Sequence, residues 1–195
     1  LISVVIATHE SEQLLVATLA ALVPGAMAGV ISEVIVADAG SEDGTTRVAD
    51  AAGCRVLETS GPPGARLKSA AASARAPWLL FLRPGCVPDV TWVDETNRFI
   101  IDAERSRRAQ AVVAVFRRAS AGGSARSLIT EAFALMAAAR GARPHPDQGL
   151  LISEAFYEAL GGHRADSADA ETDLLRRIGR RRIVLLRSGV PPADS

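Results

Sequence analysis

The chain has 195 residues, 48% of them hydrophobic and only 4% aromatic, with 22 basic and 22 acidic residues and a formal net charge of zero. That length carries one domain with an aliphatic, alanine-rich core. The cancelled charge offers no overall field to nucleic acid, and two lone cysteines, Cys54 and Cys86, make neither a disulfide framework nor a zinc site.

Residues 2–7 form a short apolar run, the pattern of a fully buried strand. Leu14, Leu15, Thr18, Leu19 and Leu22 then recur at helical spacing, and Pro24-Gly25 is expected to end that helix. A second strand is expected over 33–37, and a helix over 44–52, capped by Ser41 or Asp43 and closed by Gly53. A short strand over 55–58, a Gly61-Pro62-Pro63-Gly64 turn and an alanine-rich helix over 66–75 follow, with Pro77 as the stop. Residues 78–82 are all apolar, as in a central parallel strand. This β-α-β-α-β-α-β rhythm predicts a mainly parallel sheet with helices on both faces.

The second half is less regular. Helices are expected over 89–107, 128–139, 154–160 and 170–178, and strands over 111–116, 149–152 and 183–186. Loops are expected over 119–124 and 141–146. Neither an internal repeat nor a domain-splitting linker is visible. No apolar run reaches bilayer length, and 1–7 lacks the charged start and cleavage site of a signal peptide, so the cytoplasm is the expected location. The cysteines then read as buried free thiols in a reducing compartment.

The chemistry concentrates where strands end. In Val34-Ile35-Val36-Ala37-Asp38-Ala39-Gly40-Ser41-Glu42-Asp43-Gly44-Thr45, a strand runs into an aspartate and a small-residue turn. A carboxylate at the carboxyl end of a buried strand sits where open α/β sheets bind ligands. It accepts hydrogen bonds from a base or ribose and repels a bare phosphate, so the segment suggests the nucleoside end of a nucleotide. No Gly-rich, lysine-bearing loop follows the first strand, which disfavours a nucleotidyltransferase. Ala7-Thr8-His9-Glu10 cannot supply a dinucleotide fingerprint, which disfavours a dinucleotide oxidoreductase.

Taken in order, these motifs resemble the family 2 nucleotide-sugar glycosyltransferases of GT-A type, especially short bacterial members. The likeness runs from Ser3-Val4-Val5-Ile6-Ala7-Thr8 to Arg182-Ile183-Val184. It is carried by the Asp38 segment and Trp78-Leu79-Leu80-Phe81-Leu82. Asp147-Gln148-Gly149, Glu158-Ala159-Leu160-Gly161-Gly162 and Glu171-Thr172-Asp173-Leu174-Leu175-Arg176-Arg177 also match. The resemblance implies a single three-layer α/β/α GT-A domain with a mixed, mainly parallel sheet. Residues 1–110 would form a nucleotide-binding half and 111–195 an acceptor-side half. It implies transfer of a sugar from a UDP- or GDP-sugar, with inversion, to an acceptor that the sequence does not name.

The same resemblance assigns Thr8, Glu10, Asp38, Ser41 and Asp43 to the nucleoside, Arg66 to the vicinity of the diphosphate, Asp147 and Gln148 to the acceptor, and Glu171 to the catalytic base. The family's acid before that base is replaced by Ala170. The largest departure follows the fourth strand. Relatives hold Mg2+ or Mn2+ there with Asp-x-Asp, and this chain has Arg83-Pro84-Gly85. No metal ligand is therefore assigned, and Arg83 stands as a charge that pairs with the diphosphate in the ion's place. The missing acids keep a second class open: a degenerate nucleotide-sugar-binding or partner module.

Simpler structural roles compete at each position. Asp38 caps a loop, Asp43 caps a helix, and Glu171 complements a helix dipole. His9, His145 and His163 read as surface histidines. The basic run through Arg176, Arg177, Arg180, Arg181 and Arg182 reads as a solvated face, with peripheral contact to anionic lipid as the lesser alternative.

Overall fold

A computed structural model describes residues 1–118, 144–167 and 169–191. The helix expected over 128–139, the loop over 119–124 and the first half of the loop over 141–146 fall outside the described residues.

The first half alternates as the sequence indicates: β1 (Ile2–Thr8), α1 (Glu12–Met27), β2 (Ile31–Asp38), α2 (Thr45–Ala51), β3 (Arg55–Glu58), α3 (Pro63–Ala72) and β4 (Trp78–Leu82). Then come α4 (Trp92–Arg105), β5 (Val113–Arg118), a single 3-10 turn at Pro146–Gln148, β6 (Leu150–Ser153), α5 (Glu154–Ala159), α6 (Ala170–Ile178), a 3-10 turn at Arg180–Arg182 and β7 (Ile183–Val190). The seven strands form one sheet in the order β3-β2-β1-β4-β6-β5-β7. β1 pairs in parallel with β2 and β4, and β5 with β7; β6 runs antiparallel to both neighbours. The sheet is mixed and mainly parallel.

Strand alternation separates two cores. Trp78, Leu80 and Leu82 of β4 join Ile2, Val4 and Ile6 of β1 beneath α1 and α4. Leu79 and Phe81 point the other way, with Val5, against Leu67 of α3, Phe156 of α5 and Leu174 of α6. Both faces of β4 are therefore covered, which explains its unbroken apolar sequence. Each fully buried large apolar side chain contributes roughly 1.5–3 kcal/mol.

Several boundaries differ from expectation. Helix α1 continues past Pro24 to Met27 instead of stopping at Pro24-Gly25. Tertiary packing overrides the proline. Trp92 lies against Gly25, where any added Cβ would fall on the indole, and its ring N–H donates to the Ala21 carbonyl at 3.0 Å. Helix α3 begins at Pro63, inside the expected turn, because proline suits the first helical position. Helix α4 spans less than 89–107. Asp89 precedes it, accepting from the Thr91 N–H and hydroxyl and from the Gly189 N–H of β7. β7 extends four residues beyond its expected end, held by parallel pairing to β5.

The order β2-β1-β4 puts a switch point between β1 and β4, since the chain leaves β1 toward one side for β2 and returns on the other for β4. Crevices for ligands open outside the carboxyl ends of strands at such points. Thr8, Asp38 and Arg83 all lie at that edge, at the end of β1, the end of β2 and just after β4.

Candidate active site

Asp38 is completely buried at the end of β2. Oδ1 accepts from the hydroxyls of Thr8 at 2.7 Å and Ser41 at 2.6 Å, and Oδ2 accepts from the backbone N–H groups of Gly40 at 2.9 Å and Ser41 at 2.7 Å. Those four bonds match the lone-pair capacity of an ionised carboxylate. Burial works to raise the pKa, and the Ser41, Thr8 and Gly40 hydrogen bonds outweigh it, holding Asp38 below its usual 3.8. Asp38 therefore shapes the loop after β2, and its own oxygens are already occupied by that loop.

The loop is tied back to the end of β1. Glu10 adopts a positive φ of 48°, an uncommon conformation for a residue with a side chain. Its N–H donates to Ser41 Oγ at 2.9 Å, and its Oε1 accepts from the Glu42 N–H at 2.6 Å. Asp43 Oδ1 accepts from the Thr45 N–H at 2.9 Å, and its Oδ2 accepts from the Glu12 N–H at 3.1 Å. Glu12 returns the contact, accepting from the Gly44 N–H at 3.0 Å. Asp43 thus bridges the entrances of α1 and α2. Arg66 of α3 is buried, and its Nη1 donates to the carbonyls of Thr8 at 2.5 Å and Ala37 at 2.9 Å. It is a strut beneath the tips of β1 and β2, and its Nε has no partner among the described residues.

A different arrangement follows β4. The guanidinium of Arg83 sits among three carboxylates from two segments, Asp147 of the Pro146–Gln148 turn and Asp169 with Glu171 at the start of α6. Nε and Nη2 both meet Glu171 Oε2 at 2.5 Å, Nη1 meets Asp147 Oδ1 at 3.0 Å, and Nη2 lies 3.8 Å from Asp169 Oδ1. Asp169 caps α6, accepting from the Thr172 N–H at 3.2 Å, which aims Glu171 from the first turn. Asp147 belongs to the Pro146–Gln148 turn. Gln148 faces inward: its Nε2 donates to the Phe116 carbonyl at 2.6 Å and its Oε1 accepts from the His145 N–H at 2.7 Å. Of the pair assigned to the acceptor, only Asp147 reaches the cluster.

Burial pushes the Glu171 carboxyl above its usual 4.5, and the attraction of Arg83 brings it only part of the way back. Burial alone would lower Arg83, but Glu171, Asp147 and Asp169 raise it, so it remains fully charged. Cys86 lies below this cluster, pushed up to about 12 by burial and the two nearest acids. Both cysteines are free, and Cys54 is pushed up to about 11, so neither offers a thiolate.

A divalent ion of the Asp-x-Asp type does not fit here. Arg83 and Gly85 bring no carboxylate, and the nearby acids already surround a fixed cation. Among the described residues, no group of three His, Cys, Asp or Glu side chains is arranged to hold a metal. Gly85 adds a backbone obstacle with its φ of +87°.

The sequence reading missed Asp169, although an acid one residue before a helix start is a recognisable cap. The expectation of a surface location fails for His163, which is 1% exposed. Its Nδ1 lies 2.9 Å from the Tyr157 hydroxyl, and its ring packs edge-on to Phe81. Burial and Arg177 lower its pKa to about 3, so it is neutral. Arg177 also leaves the expected solvated face. It meets Asp173 at 2.8 Å and donates to the carbonyls of Leu160 and Gly162, each at 2.6 Å.

The parallel strand tips, the loop after β2 and the late helix α6 together form the GT-A glycosyltransferase architecture. The chain belongs to glycosyl transferase family 2, whose model matches residues 3–105. Its fold is similar to that of S. aureus TarS 1-349 in complex with UDP, with a TM-score of 0.69 at 17% identity, covering 100% of this chain and 60% of that one. It is also similar to glucosyl-3-phosphoglycerate synthase from Mycobacterium tuberculosis in complex with Mn2+, UDP-glucose and phosphoglyceric acid. There the TM-score is 0.66 at 23% identity, covering 94% of this chain and 68% of that one. The chain thus spans well under two thirds of the TarS fragment's length. No curated protein sequence matches it. Among the described residues, no helix is long and apolar enough to cross a membrane.

Proposed function

We propose that the chain transfers a sugar from a nucleoside-diphosphate sugar to an acceptor hydroxyl, with inversion, using Arg83 where relatives use a metal ion. The observation that carries this reading is the placement of Arg83 against Glu171, Asp147 and Asp169 at the β1/β4 switch point. The loop shaped by Asp38 and Thr8 would receive the nucleoside, with Ser41, Glu10 and Asp43 fixing its form. Arg66 would act from beneath by holding the strand tips together. Residues 1–110 would thereby serve the donor and 111–195 the acceptor.

In this reaction the acceptor oxygen forms a bond to the anomeric carbon while the bond from that carbon to the diphosphate oxygen breaks. The diphosphate leaves with the bonding pair, and the acceptor proton passes to Glu171. A pKa raised by burial makes Glu171 a stronger base than an exposed glutamate. Arg83 stabilises charge on the departing diphosphate through charge-assisted hydrogen bonds. Since Arg83 begins on Glu171, donor entry draws one arm of the guanidinium away and leaves the carboxylate less neutralised.

Solved relatives in complex with UDP and UDP-sugars support testing uridine donors first. The test is calorimetric titration with UDP- and GDP-sugars, with and without Mn2+, alongside release of the nucleoside diphosphate. Metal-independent binding with turnover is expected. Strict dependence on Mn2+ would rule out the role given to Arg83, and absence of binding by any donor would rule out the transferase. The second reading, a binding module without turnover, is favoured by one observation: Asp38 and Glu171 are both already engaged by protein groups. Donor binding with no product would select it.

A further inference from the structure

We infer that the groove beside α6 is an acceptor subsite for a phosphate-bearing polyol or sugar, gripped by Arg176 and Arg180. The inference rests on the transferase reading for its role as an acceptor site, and on the groove itself for its chemistry.

The groove encloses about 390 Å³ and is bounded by Pro144, Thr172, Leu175, Arg176, Arg180 and Ile183. That volume is in the range of small-molecule sites. Leu175 and Ile183 provide an apolar floor, and Arg176 and Arg180 stand exposed at its border. Among the described residues, neither arginine is paired with an acid, whereas Arg55, Arg83, Arg98, Arg164 and Arg177 all are. Two exposed guanidiniums without an acid partner among the described residues, beside a concave surface, suit the fork geometry that binds phosphate oxygens.

The groove uses the same two elements that feed the Arg83 cluster. Helix α6 supplies Glu171 as well as Thr172 and Arg176, and the segment from Pro144 leads directly into Asp147. Glu171 lies five positions before Arg176, about 7.5 Å along the helix and roughly 140° around it, with Leu175 on the face between them. A ligand spanning that interval has room for a few carbon atoms between its hydroxyl and its phosphate. Charge fixes its direction: Asp169 and Glu171 repel the anion at one end, and Arg176 and Arg180 attract it at the other. The carboxyl end of α6 is the negative pole of its dipole, and Arg176 with Arg177 in the last turn offsets it.

The decisive comparison uses the full chain as wild type, as the double variant Arg176→Gln/Arg180→Gln, and as Arg105→Gln, an exposed arginine outside the groove. The probes are glycerol 3-phosphate by calorimetry and phosphatidic acid in phosphatidylcholine vesicles by flotation. UDP is titrated into each sample, and circular dichroism confirms folding. Glycerol 3-phosphate should bind wild type and Arg105→Gln alike and lose at least about tenfold in the double variant, a loss of roughly 1.4 kcal/mol. Vesicle capture that disappears in the double variant assigns the phosphate to a lipid headgroup; the soluble loss without capture assigns it to a free metabolite. Equal binding by all three proteins, or none by wild type, overturns the subsite. Loss of UDP binding in the double variant also overturns it, by giving the arginines to the donor. If wild type ignores UDP yet shows the phosphate pattern, the transferase reading falls and the phosphate site stands.

Discussion

Two carboxylates lie at this edge of the sheet, Asp38 at the tip of β2 and Glu171 brought by α6 to Arg83 just after β4, and the two are stabilised in opposite ways. Asp38 is surrounded by neutral donors that belong to its own loop and to Thr8. Glu171 instead meets a cation from another element, with both arginine donors converging on one oxygen. Neutral donors in a short loop make a fixed scaffold. A guanidinium that is 39% exposed on a long side chain makes a partner that can be exchanged for a ligand. The first arrangement is fixed by its own loop, and the second can rearrange when a competing anion approaches.

The largest effect is expected from Glu171→Gln, which keeps the shape and removes the base: turnover should fall about 10³-fold with donor affinity within a few-fold, read by single-turnover kinetics. Asp38→Ala should come next. It removes the buried acceptor of two hydroxyls and two N–H groups, costing about 3 kcal/mol by denaturant unfolding. If Asp38→Ala leaves stability unchanged and abolishes only nucleotide binding, the scaffold role is wrong. Arg83→Gln should destabilise by about 1 kcal/mol, because the guanidinium is 39% exposed and solvent screens part of its attraction to Glu171. Its effect on turnover should exceed its effect on stability.

The pH dependence carries opposite signs. Asp38 has a lowered folded pKa, so its contribution is present above 3.8 and is lost as pH falls through the folded value. Glu171 has a raised folded pKa, so the folded chain binds more protons and stability declines as pH rises past 4.5. Relative to wild type, Glu171→Gln should therefore gain stability from pH 4.5 toward neutrality. Asp38→Asn should compare best with wild type at the acid end. Melting temperatures across pH check both. The smallest effect is expected from His163→Phe, which replaces a buried neutral ring and removes an unpartnered Nε2: a change within about 1 kcal/mol, since the lost Tyr157 contact offsets the gain.

The strands β1, β2 and β4 were legible because each carries an apolar run ended by polar or small residues. The helix boundaries were less so. Pro24 looked like a stop until Trp92 on another element supplied the packing that overrides it. The insertion of β6 against the direction of its neighbours was not readable, because a four-residue apolar run states neither partner nor orientation. At the site, Asp38, Arg83 and Glu171 were named from motif order, but their hydrogen-bond partners were not. The capping of its own loop by Asp38 is local and was readable as the simpler role, whereas its bond from Thr8, the inward turn of Arg66 and Gln148, the approach of Asp169 to Arg83 and the burial of His163 all depend on long-range packing. Sequence spacing holds no record of those contacts.

Gly85 bears on metal binding in a second way. Its backbone is left-handed, and a Cβ there would press against Leu14 Cδ2 at 3.2 Å. An aspartate at this position would meet strain and crowding before it met any ion. Placing carboxylates at residues 83 and 85 would therefore also require the turn to relax and the Leu14 side chain to give way.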